Sequence, residues 1–184
     1  PISGTWLQRK PPMTRKRDWA RFNPETDLAI DRRIDAPVDL VWSAWTDPDR
    51  LKQWWVPRPW TTPEIEMDLR PGGMFRTVMQ SPEGERFDNA GIFVAVEPKA
   101  WIAWTSALLP GYRPAGDAEH CGGIHMTAGI EFRPDGAGTH YIATVLHPDR
   151  ASRERHEAMG FHDGWGTVIE QLVEIVTAMK ADAR

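Results

Sequence analysis

The chain has 184 residues, with 22 Lys and Arg against 26 Asp and Glu, a net charge of −4 and a single cysteine. This length suits one domain with a substantial core, while the slightly acidic balance excludes a broad nucleic-acid-binding surface and the lone cysteine excludes a disulfide framework. Because no apolar run approaches a membrane span and no signal peptide is recognisable, we expect a cytoplasmic protein.

Residues 1–27 differ in composition from the rest of the chain. Lysines and arginines cluster there around a pair of prolines, and no periodic pattern is sustained. We interpret this segment as an N-terminal tail or arm whose charges are solvated. The remaining residues, 28–181, are predicted to form a single domain.

The domain begins with one predicted strand and two short helices. Residues 28–34 alternate apolar and polar side chains, which is typical of a half-buried strand. Pro37 then fits the first turn of a helix whose apolar residues follow at spacings of three and four. The dipeptide Asp47-Pro48 ends this helix and starts a second one, which Pro57 closes.

Short strands separated by turn signals occupy the middle of the domain. They are predicted at 64–70, 74–80, 89–96, 101–107, 125–132 and 139–147. Consecutive strands with short connections indicate an antiparallel sheet. The segment 108–123 is longer than an ordinary connection and rich in glycine and proline, which favours a lid or a mobile loop.

The last segment is predicted to be a long helix. Its apolar stripe comprises Phe161, Trp165, Val168, Leu172, Val176 and Met179. Gly160, Gly164 and Gly166 each cost about 1 kcal/mol relative to alanine inside a helix, so we expect a kink or a close approach of another backbone there, with a separate helical turn from about Asp149. Only this helix is long enough to cover the sheet, and a space between the two is the natural ligand site.

Four phrases of the sequence carry a resemblance to a known fold family. They are IDAPVDLVWSAWTDPDRLKQWW, DLRPGGMFRTVM, GTHYIATVLH and MGFHDGWGTVIEQL. In this order the chain resembles the SRPBCC superfamily of START/Bet v 1-like helix-grip domains, and within it the branch named for the activator of Hsp90 ATPase homologue 1 (AHSA1-like). The resemblance implies an α+β fold in which a curved antiparallel sheet of about seven strands wraps around the long C-terminal helix.

The resemblance also implies a function. Members of the superfamily hold apolar or aromatic small molecules in a deep cavity, and they include lipid carriers and polyketide cyclase-like enzymes. We therefore expect a hydrophobic, aromatic-containing small molecule to bind between the sheet and the C-terminal helix. Two alternatives stay open: a cyclase- or hydrolase-type enzyme that uses His162 or His125 as acid or base, and a co-chaperone-like interaction protein. A homodimer is also compatible with the sequence.

The predicted ligand-binding residues are rings from segments that should surround the cavity. They are Trp54, Trp60, Phe75, Trp104, His125, Phe161, His162 and Trp165. Large rigid rings shape a pocket, and a buried indole N–H needs a partner. A histidine in an apolar pocket can act as a general base or bond a ligand carbonyl. His162 is predicted to share the face of Trp165, whereas His156 is not quite on it; simple core packing is the competing interpretation for each ring.

Other chemistry-bearing patterns are weaker. His120, Cys121 and His125 could ligate a soft metal, but their spacing matches no known zinc site, so we predict no metal and no cofactor. No nucleophile motif and no phosphate-binding glycine motif is present, so the sequence assigns no catalytic residue. The alternating carboxylates of residues 64–68 are predicted to form a solvated sheet face.

Overall fold

One strand and two short helices precede a run of strands, and two further helices follow it. The computed structural model describes residues 22–117 and 123–182, so most of the predicted tail lies outside the described residues. The elements are β1 (Asp27–Ile34), α1 (Val38–Thr46), α2 (Pro48–Leu51), β2 (Thr61–Met67), β3 (Met74–Gln80), β4 (Arg86–Glu97), β5 (Trp101–Thr105), β6 (Leu108–Leu109), β7 (Arg113–Pro114), β8 (Thr127–Asp135), β9 (Gly138–Leu146), α3 (Arg150–Ala158) and α4 (Phe161–Asp182).

Seven strands form one antiparallel sheet, in the order β1-β9-β8-β5-β4-β3-β2. The first and last of these strands in the chain pair with each other, since Asp27 lies opposite Leu146 and Ile34 opposite Thr139. The remaining two strands, β6 and β7, form a separate small hairpin. The predicted α+β helix-grip arrangement, with about seven strands, two short helices after the first strand and a long C-terminal helix, is confirmed.

The junction between α1 and α2 follows the prediction, but α2 is shorter than expected. The carboxylate of Asp47 accepts hydrogen bonds from two backbone N–H groups of α2, and Pro48 occupies the first helical turn. The helix ends at Leu51 and does not reach Trp54. The carbonyl oxygen of Trp54 accepts instead from the side chain of Gln171 on α4, at 3.2 Å. The segment after α2 is therefore held by a long-range hydrogen bond.

Glycine separates the two C-terminal helices. Asp149 caps α3 by accepting from the backbone N–H of Ser152 at 2.7 Å, as a separate helix there requires. Gly160 has a φ of +91°, a backbone conformation that favours glycine, and α4 begins after it. At Gly164 and Gly166 a Cβ would meet no atom within 4 Å, so the expected close approach of another backbone is wrong at both positions.

The core lies between the sheet, α1 and α4. Helix α4 buries one stripe of apolar side chains, comprising Phe161, Val168, Ile169, Leu172 and Val176. Trp165 and Met179 of the predicted stripe are partly buried against the same core. Each fully buried aliphatic side chain contributes roughly 1.5–3 kcal/mol, so this stripe anchors the helix across the sheet. No helix among the described residues is both long and apolar enough to cross a bilayer.

Candidate functional site

A cavity of about 670 Å³ lies between the sheet and the start of α4. Its walls come from the segment after α2, from strands β3, β4, β5 and β8, and from α3 and α4. Residues of the β6–β7 hairpin and of the segment that follows it lie at the edge. The volume falls within the range of about 300–1,000 Å³ that is usual for small-molecule sites.

One wall of the cavity is a continuous cluster of aromatic rings. The ring of Trp104 on β5 lies with its centroid 5.5 Å from those of Trp45 and Phe75 and 6.0 Å from that of Trp55. Trp45 packs edge-on against Trp54 at 5.0 Å. Such tilted and edge-to-face pairs contribute about 0.5–1.5 kcal/mol each beyond area burial, so the wall is rigid and preformed.

Trp54 is fixed further by its polar atom. Its indole N–H donates to the carbonyl oxygen of Ala44 at the end of α1, at 3.1 Å. The side chain is almost fully buried, with 1% exposed. Trp54 therefore joins the two short helices to the cavity wall and satisfies its own donor inside the protein.

The facing wall is formed where α3 meets α4. Phe161 and Trp165 lie on α4 with ring centroids 5.7 Å apart, and Phe161 packs edge-on against His156 of α3 at 5.1 Å. Gly160 and Gly164 line the cavity between these rings. The absence of a side chain at these glycines leaves open space for a bound molecule.

His125 ties the edge of the cavity to the sheet. Its Nε2 lies 2.7 Å from the carbonyl oxygen of Gly116, and its Nδ1 lies 3.4 Å from the hydroxyl of Ser106. A carbonyl oxygen only accepts, so Nε2–H donates to Gly116, and both ring nitrogens of His125 have a polar neighbour. The predicted lid, 108–123, thus includes residues at the cavity edge; its residues 118–122 lie outside the described part of the chain.

Two histidines meet beside the cavity. His156 Nδ1 lies 2.8 Å from His147 Nε2, and His147 Nδ1 lies 2.9 Å from the carbonyl oxygen of Thr26. Burial lowers the pKa of His147. The hydrogen bond to Thr26 and the charges of Asp27 and Asp149 raise this pKa, and Arg153 lowers it further, each by less than burial does. Burial, and then the neighbouring His147, lowers the pKa of His156 to about 4. Both rings are therefore neutral at pH 7.

The histidine pair should make the fold sensitive to acid. On unfolding, the pKa of each ring returns to about 6.5, so below that pH the unfolded chain binds more protons than the folded one and stability falls. From pH 7 to pH 4.5 we expect His156 to cost about 1–2 kcal/mol of unfolding free energy, a value reduced because His156 is partly exposed. His147 should add to the loss in the same direction.

Urea denaturation at the two pH values measures this cost. In His156→Phe, the part of the acid-induced decrease in unfolding free energy that comes from His156 should be absent. In His162→Phe, which changes a histidine whose side chain is 55% exposed, most of the loss should remain. Acid losses of equal size in wild type and His156→Phe would show that the pair is not the cause.

Six of the eight predicted site residues line the cavity: Trp54, Phe75, Trp104, His125, Phe161 and Trp165. Trp60 lies outside it, where its ring packs against Phe87 at 5.4 Å. His162 also lies outside, 3.5 Å from Glu157. Successive residues of a helix point about 100° apart, so His162 cannot share the inward face of Phe161. Whether the six residues bind a ligand stays a prediction.

Several cavity residues were not among the predicted set. Thr77 and Met79 line the cavity together with Phe75, and strict alternation along β3 would have indicated both. Trp45 and Trp55 complete the aromatic wall. Trp55 was a cavity candidate in the sequence, whereas Trp45 was expected to be a structural residue of the first helix. His156 reaches the cavity because Gly160 ends α3 there, and this geometry has no periodic signature.

The carboxylates of β2 lie on the outer face, as predicted. Arg76 of β3 crosses this face and contacts Glu66 at 2.8 Å and Asp88 at 2.6 Å. Hydrogen bonds from Arg86 and then from Arg76 lower the pKa of Glu64. Among residues 22–117 and 123–182, no group of three His, Cys, Asp or Glu is arranged to hold a metal ion. His120 and Cys121 lie outside those ranges.

The sheet, the long helix and the cavity between them define a START/Bet v 1-like helix-grip protein. The chain belongs to the family described as activator of Hsp90 ATPase homolog 1-like protein, because the model of that family matches residues 35–177. No curated protein matches the chain.

Solved structures agree with this assignment. A protein from Nitrosomonas europaea is 46% identical, with a TM-score of 0.81 over 87% of this chain and 99% of that one. A protein from Rhodobacter sphaeroides is 22% identical, with a TM-score of 0.72 over 85% and 96% of the two chains. An AHSA1-like protein from Aeromonas hydrophila is 20% identical, with a TM-score of 0.61 over 84% and 94%. The last two show the fold alone.

Proposed function

We propose that the chain binds a hydrophobic, aromatic-containing small molecule in the cavity between the sheet and α4. The observation that carries this proposal is an open volume of about 670 Å³ faced by aromatic rings on two sides. Burial of apolar ligand surface, at roughly 25 cal/mol per Å², supplies the driving force. A preformed aromatic wall adds little ordering cost on binding.

The enzyme alternative requires a cavity histidine that can act as acid or base. His162 lies outside the cavity, and both ring nitrogens of His125 lie close to polar atoms of Ser106 and Gly116. His156 lines the cavity, but a pKa of about 4 makes it a weak base at neutral pH. These observations favour binding over acid–base catalysis.

The co-chaperone alternative requires an exposed apolar patch or a charged docking surface. The large apolar side chains exposed among the described residues are Phe22, Val94, Tyr112 and Met159. They belong to different segments of the chain: before β1, in β4, between β6 and β7, and between α3 and α4. The co-chaperone alternative, the homodimer and the cytoplasmic location stay predictions.

Soaking crystals with 2-bromonaphthalene tests the proposed function. This molecule carries no hydrogen-bonding group, so its binding reports only the apolar cavity. We expect an anomalous bromine peak between the sheet and α4, in van der Waals contact with Trp104 or Trp165. Bromine signal confined to the outer surface, or none at saturating concentration, would overturn the proposal.

A further inference from the structure

The histidine pair beside the cavity has a fixed direction of hydrogen bonding. The carbonyl oxygen of Thr26 only accepts, so the proton of neutral His147 resides on Nδ1, 2.9 Å away. His147 Nε2 is then an acceptor, and the Nδ1–H of His156 donates to it at 2.8 Å. The proton of neutral His156 is therefore on Nδ1, and its Nε2 carries a free lone pair.

The free nitrogen of His156 is available to a bound molecule. His156 lines the cavity. Among the described residues, no backbone or side-chain group hydrogen-bonds its Nε2. This atom is also not among the fully buried side-chain atoms that lack a partner, so it is accessible. The ring is held in place by its contact with Phe161, with centroids 5.1 Å apart, as well as by the bond to His147.

We propose that the His147–His156 pair presents a fixed hydrogen-bond acceptor to the cavity, and that the molecule bound there carries a hydroxyl or N–H donor on an apolar body. This inference rests on the proposed function, since it concerns the same cavity. The hydrogen bond from His147 to the carbonyl oxygen of Thr26 fixes the tautomers of both rings. Without it, His156 could adopt either tautomer and would not discriminate between donors and acceptors. A phenol or an aliphatic alcohol fits this chemistry.

Burial keeps the acceptor in its neutral form. Desolvation lowers the pKa of both rings, so neither is charged at neutral pH, where protonation would turn the acceptor into a donor. A ligand that offers only an acceptor, such as an ether, would leave His156 Nε2 without a partner in a partly desolvated site, which is unfavourable.

A matched pair of probes tests the inference. Isothermal titration at pH 7.5 gives the affinities of 2-naphthol, which has a hydroxyl donor, and 2-methoxynaphthalene, which has the same ring system and no donor. We expect wild type to bind 2-naphthol at least about fivefold more tightly. In His156→Phe, which keeps a ring and removes the acceptor, the preference should vanish while 2-methoxynaphthalene still binds. His162→Phe should keep the preference.

The possible outcomes separate the two proposals. If wild type binds both probes with equal affinity, the acceptor inference fails and the cavity proposal stands. If wild type binds neither probe, both fail. If His156→Phe keeps the full preference for 2-naphthol, another group recognises the hydroxyl and the inference is overturned.

A second measurement does not depend on any variant. Long-range ¹H–¹⁵N correlation spectra of the wild-type protein at pH 7.5 identify which histidine nitrogens carry a proton. Both His147 and His156 should show protonated Nδ1 and unprotonated Nε2. A proton on Nε2 of His156 in the free protein would contradict the inference, whatever the probes show.

Discussion

Gln171→Leu should lower the free energy of unfolding by about 3 kcal/mol, although the two side chains are similar in size. Gln171 lies on α4 and is 4% exposed. Its Oε1 accepts from the backbone N–H of Arg58 at 2.9 Å, and its Nε2 donates to the carbonyl oxygens of Trp54 at 3.2 Å and Val56 at 2.8 Å. Leucine leaves all three backbone groups without a partner.

The same substitution should disturb the cavity. The three bonds of Gln171 hold the segment that carries Trp54 and Trp55 against α4, so their loss loosens the aromatic wall. Gln53→Leu is the matched control, because Gln53 is exposed and bonds only within its own segment. Urea denaturation at pH 7 should place this control within about 0.5 kcal/mol of wild type. If Gln171→Leu lowers the free energy of unfolding by less than about 1 kcal/mol, the three hydrogen bonds of Gln171 do not hold this segment as proposed.

Local patterns in the sequence were sufficient for the elements that define the fold. Asp47-Pro48 marked the boundary between the short helices because capping and a fixed proline φ act within one turn. Alternation over residues 28–34 marked the first strand, since successive strand residues point to opposite sides. Features of this kind depend only on neighbouring residues, so they can be predicted from one chain.

The cavity itself depends on contacts between distant residues. Gln171 meets Trp54 across 117 positions, and His147 meets Thr26 across 121. No period links such pairs, so neither the hydrogen bonds of Gln171 to the segment after α2 nor the position of His156 at the cavity could be predicted from local patterns. The sequence predicted a break near Gly160 but not which residues of α3 and α4 come together across it.

Gly164→Leu should abolish most of the ligand binding without harming the fold. Gly164 lines the cavity, and a Cβ there would meet no atom within 4 Å, so a leucine side chain can occupy the space proposed for the ligand. Gly166→Leu is the matched control, since its Cβ is equally unobstructed but the residue does not line the cavity. Both variants gain about 1 kcal/mol of helix propensity, so both should be at least as stable as wild type.

Titration of wild type, Gly164→Leu and Gly166→Leu with 2-methoxynaphthalene, followed by tryptophan fluorescence, tests the cavity as a binding site most directly. The rings beside the proposed ligand are tryptophans, so their emission should change on binding. We predict that Gly164→Leu raises the Kd at least about tenfold, a difference of about 1.4 kcal/mol, while Gly166→Leu stays within about twofold of wild type. A Gly164→Leu protein that binds as tightly as wild type would contradict the proposal that this cavity holds the ligand.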